Sequence, residues 1–139
     1  MDVVGPLCAM QQVIPIMRKQ KAGMIVNINF GTALIYLANM SAYSSLKRVL
    51  AAISLTAHEE LKKDNIAVSV VYPYITLTDF EKNTIVKHGI VEEESDSEES
   101  DGPFHPPDSA EYIAQKILDG IKSEDAEIFA HDWMKNLRK

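Results

Sequence analysis

The chain has 139 residues, 46% hydrophobic and 24% charged, a length that suits one domain and excludes two full-sized ones. Its net charge of −6 is local: residues 92–101, EEESDSEESD, hold seven of the 20 acidic side chains and leave 13 acids against 14 bases elsewhere, so no basic surface for nucleic acid is expected. The single cysteine, Cys8, excludes an intrachain disulfide, reads as a small buried hydrophobe and fits a cytoplasmic location, and no apolar run approaches the roughly 18 residues that a membrane span needs.

In chain order, Leu7, Met10, Val13, Ile14 and Met17 recur at helical spacing, with Pro6 suited to a first turn, Pro15 expected to bend the helix and Gly23 expected to close the segment. Met24 to Ile28 is a short apolar run of the kind that forms a buried strand. Gly31 to Asn39 reads as a connection. From Ser41 to Lys63 a long amphipathic pattern without glycine or proline predicts a helix, carrying Leu46, Val49, Leu50, Ile53 and Leu61. After the turn signal Asp64-Asn65, Ile66 to Val71 is a β-branched run that predicts a second buried strand ending at Tyr72-Pro73.

Residues 92–107, the acidic run followed by Gly102-Pro103-Phe104-His105-Pro106-Pro107, predict a solvated loop, because like charges repel and prolines stop regular structure. Asp108 is positioned to cap a helix running to about Lys122, with Glu111 at the capping-box position and Ile113, Ile117, Leu118 and Ile121 on one face. Ala126 to Ala130 predicts a third short strand. Helices and strands in alternation imply an α/β layer fold with parallel pairing and right-handed crossovers, in a single domain spanning 1–139. His58, His88, His105 and His131 are too scattered for a metal-ligand pattern, so no metal site is expected, and Trp133 reads as a packing anchor.

Tyr43 and Lys47 stand four residues apart at the start of the long helix, about one turn from each other on one face. A phenol is a poor proton donor or acceptor at neutral pH unless a cation favours its anion, and an ammonium one turn away does that. The surrounding order is specific. A strand Gly23-Met24-Ile25-Val26-Asn27-Ile28 precedes Ser41-Ala42-Tyr43-Ser44-Ser45-Leu46-Lys47, and Val70-Val71-Tyr72-Pro73 follows, with Thr78 beyond. This order resembles the short-chain dehydrogenase/reductase family, and resembles its C-terminal half only.

The resemblance implies a partial Rossmann-like parallel sheet of about three strands with flanking helices, NAD or NADP as cofactor, and hydride transfer between the nicotinamide and a carbonyl or alcohol carbon. It implies Tyr43 as general acid or base, Lys47 as the residue that lowers its pKa and holds the nicotinamide ribose, and Pro73 and Thr78 as the segment against the nicotinamide. Two family positions differ here. Phe30 stands where the family has its substrate-orienting serine, and Asp2 where it has an asparagine; a benzyl group cannot donate a hydrogen bond, and a carboxylate only accepts them. Asn29 would normally point away from the site, and Tyr74, in place of a glycine, would crowd backbone and cofactor.

The 139 residues contain no G-x-x-x-G-x-G phosphate-binding turn. The expectation is therefore a truncated, inactive chain with doubtful NAD(P) binding, whose open strand edge takes a second copy or a complementary chain as partner. The alternative is a non-catalytic interaction module or pseudoenzyme acting through association.

Overall fold

The computed structural model describes residues 2–77 and 105–137. Thr78, His88 and most of the acidic loop lie outside the described residues. In chain order the elements are α1 (Val4–Gln20), β1 (Gly23–Ile28), α2 (Ser41–Leu61), β2 (Ile66–Tyr72), α3 (Ala110–Ser123) and β3 (Glu127–Phe129). Single 3-10 turns occupy Gly31–Ala33 and Lys62–Asp64, and a longer one Asp132–Leu137.

The three strands form one parallel sheet in the order β1-β2-β3. Gly23 to Ile28 pair in step with Ile66 to Val71, and Val70 to Tyr72 with Glu127 to Phe129. β3 is shorter than the run Ala126 to Ala130, yet both ends of that run still bond to β2: Val70 N–H donates to Ala126 O and Ala130 N–H to Tyr72 O.

Side chains alternate across a strand, and the alternation assigns the helices to faces. Ile66 and Val68 pack with Ala57 and Leu61 of α2 and Met10 of α1, joined by Ile25, so α1 and α2 cover one face. Phe129 stacks on Tyr72 at 5.0 Å, which puts both on that face and turns Ile128 to the other. There α3 approaches so closely at Gly120 that a Cβ would overlap the Ile128 side chain. With the strand order β1-β2-β3 and α2 and α3 on opposite faces, the two crossovers have opposite hands; the expectation of two right-handed connections fails for one of them.

Local chemistry accounts for the remaining differences from the sequence reading. α1 runs uninterrupted through Pro15 and ends at Gln20, capped by Lys21 in the left-handed region at φ 58°, before Gly23 is reached. Cys8 is exposed, not buried: it lies about 200° around α1 from the buried Met10, on the solvent side. The cap of α3 is Ser109, whose hydroxyl accepts from Tyr112 N–H at 3.1 Å. Asp108 is drawn away to His131 Nε2 at 2.9 Å and to the backbone of Ile75 and Leu77. Among the described residues no helix is long and apolar enough to cross a membrane.

Replacing Gly120 by alanine should destabilise the fold by about 1–3 kcal/mol, the ordinary range for overpacking. Urea unfolding should show the midpoint falling at constant slope, and an unchanged midpoint would mean that α3 packs less closely on β3.

Candidate active site at the strand ends

Four of the positions singled out in the sequence meet beside the C-terminal end of β1. Asn29 and Phe30 continue directly from that strand, and Pro73 follows β2. The backbone holds these two segments together, Asn29 N–H donating to Val71 O at 2.8 Å and Gly31 N–H to Pro73 O at 3.0 Å. The packing at Gly31 is close, a Cβ there lying 3.1 Å from Met134 Cε and 3.4 Å from Pro73 O.

On α2, Tyr43 and Lys47 share a face as their spacing requires, with the Lys47 ammonium 5.4 Å from the centroid of the Tyr43 ring. The lysine side chain is only 11% exposed and reaches Asp2 Oδ1 at 3.4 Å, a contact between residues 45 positions apart. Phe30 meets Tyr43 edge to face at 6.3 Å. Asp2, Phe30, Tyr43 and Lys47 therefore form one group, with Tyr43 at its half-exposed side. Thr78 lies outside the described residues.

Asn29 is engaged in joining the two elements. It is buried, and its amide donates to the backbone carbonyl of Lys47 at 2.9 Å, tying the strand end to the helix. Tyr74 does not strain the chain, because its φ is not positive. Its ring turns toward Trp133, 5.4 Å away and edge to face.

Two parts of the site escaped the sequence reading. Arg48 donates from Nε to Ala33 O at 3.1 Å and from Nη2 to Ile35 O at 2.9 Å, while its guanidinium lies 3.9 Å from the Tyr36 ring centroid. One cation thus clamps the connection between β1 and α2. The second part is the C-terminal segment, where His105, His131 and Trp133 stack with interplanar angles of 15–18° and His131 is held by Asp108. A hydrogen bond and the charge of Lys135 hold the exposed Asp132 carboxyl below its usual range at the start of the same segment. Trp133, Met134 and Leu137 line a cavity of about 340 Å³ together with Phe30, Pro73 and Tyr74. No cluster of three or more His, Cys, Asp or Glu side chains suited to a metal occurs among the described residues.

A family model described as short chain dehydrogenase matches residues 1–88. The chain belongs to the short-chain dehydrogenase family. Asnovolin H dehydrogenase of Aspergillus novofumigatus is 35% identical over 72 residues, which cover 52% of this chain and 28% of that protein. A short chain dehydrogenase from Burkholderia cenocepacia in complex with NADP has the same fold, with a TM-score of 0.74 at 17% identity, covering 98% of this chain and 50% of that one. A short-chain dehydrogenase from Sphingobium yanoikuyae in complex with NADPH gives 0.72 at 17% identity, covering 92% and 45%. The chain spans half or less of the length of these relatives. The family is one of oxidoreductases with a Rossmann-like fold that uses nicotinamide cofactors, and the parallel three-stranded sheet with flanking helices agrees with it.

Arg48→Ala removes two charge-assisted bonds to carbonyls and should cost about 1–2 kcal/mol. Hydrogen exchange should accelerate at residues 31–39 more than at β2; equal acceleration in both would deny Arg48 its role as a local clamp.

Proposed function

We propose that residues 1–139 form the catalytic, nicotinamide-facing half of a short-chain dehydrogenase, corresponding to the later strands of the family sheet, and that hydride exchange requires a dinucleotide-binding half supplied by other residues. The observation that carries this reading is the Lys47 ammonium beside Tyr43 at the strand ends, where open α/β sheets bind their ligands. The share of the relatives' length that the chain spans supports the assignment to one half.

The residues present fit one end of the cofactor. Lys47 carries three N–H donors and makes a long contact with Asp2, so it can also serve ribose hydroxyls, while Pro73 offers a rigid surface to the nicotinamide, with Thr78 beyond. The phosphate end has no counterpart, because no glycine-rich turn occurs in the 139 residues. A bound nicotinamide would donate or accept the hydride at the substrate carbon. Tyr43 would give its phenolic proton to a carbonyl oxygen or take one from an alcohol. Lys47 would hold positive charge near that oxygen, and Asp2 would balance part of it. Phe30 offers no hydrogen bond to the substrate and supplies an apolar wall instead.

A second reading has its own support. Phe30 replaces a donor, and β1 is an edge strand among the described residues, with Ile28 46% exposed at its end. Such an edge suits a non-catalytic protein, cytoplasmic in this reading, that acts by pairing with a second copy or a complementary chain.

Titrating NADPH against the emission of Trp133, the chain's one tryptophan, and following NADPH oxidation with a ketone tests the proposal. The isolated chain should give no saturable response and no turnover. NADPH oxidation by the unmodified chain, abolished in Tyr43→Phe, would overturn the requirement for a second half.

A further inference from the structure

We draw no further inference here: the strongest candidate, the uncharged edge of β1 at Gly23–Ile28, which pairs with one strand among the described residues, carries nothing, because nothing in the structure shows what covers it.

Discussion

The site depends on how α2 is seated on the end of β1, and the Asn29 amide bonded to the Lys47 carbonyl secures that seat. Apolar packing alone would let a long helix slide or rotate by a fraction of a turn at little cost. A buried amide is less forgiving, because any shift that breaks the bond leaves polar groups unpaired inside the protein. Asn27, two residues earlier and so on the same face of the strand, donates to Ser54 Oγ at 2.9 Å, and that hydroxyl donates on to Leu50 O at 2.7 Å. Two polar contacts about two helical turns apart fix both the height and the rotation of α2. Tyr43 and Lys47 face the strand ends as a result.

Around this seat four side chains set the local chemistry. Asp2 Oδ1 lies 3.4 Å from Lys47 Nζ, so the buried lysine has a carboxylate at hand, and that carboxylate is half exposed to water. Phe30 meets Tyr43 in a T-shaped contact and lines the cavity, offering apolar contact without a hydrogen bond. Tyr74 packs against Trp133, linking the end of β2 to the C-terminal segment. The aromatic and apolar residues Phe30, Tyr74 and Trp133 gather at the cavity, while Tyr43 and Lys47 stand together on α2.

Elements with a strong period were legible in the sequence. The runs Met24 to Ile28 and Ile66 to Val71 became paired parallel strands, of which β2 is buried along nearly all its length while β1, expected to be buried, is mostly half-buried because only one strand pairs with it among the described residues, and the uninterrupted pattern from Ser41 became α2. The i, i+4 spacing of Tyr43 and Lys47 carried directly into geometry. What remained illegible depended on contacts between distant residues. Arg48 looks like any surface cation on a helix until the loop it clamps is folded beneath it. Asp108 and Ser109 both have capping chemistry, and the choice between them is made by His131, 23 residues away from Asp108.

The most direct measurement of the central claim supplies the dinucleotide-binding half of a short-chain dehydrogenase as a separate chain, together with residues 1–139 carrying Phe30→Ser, and follows NADPH oxidation in the presence of a ketone. If α2 already holds the catalytic pair in working geometry, the assembled halves should turn over, and Tyr43→Phe should abolish the rate. An assembly that binds NADPH but shows no turnover, or the same turnover with Tyr43→Phe, would contradict the account.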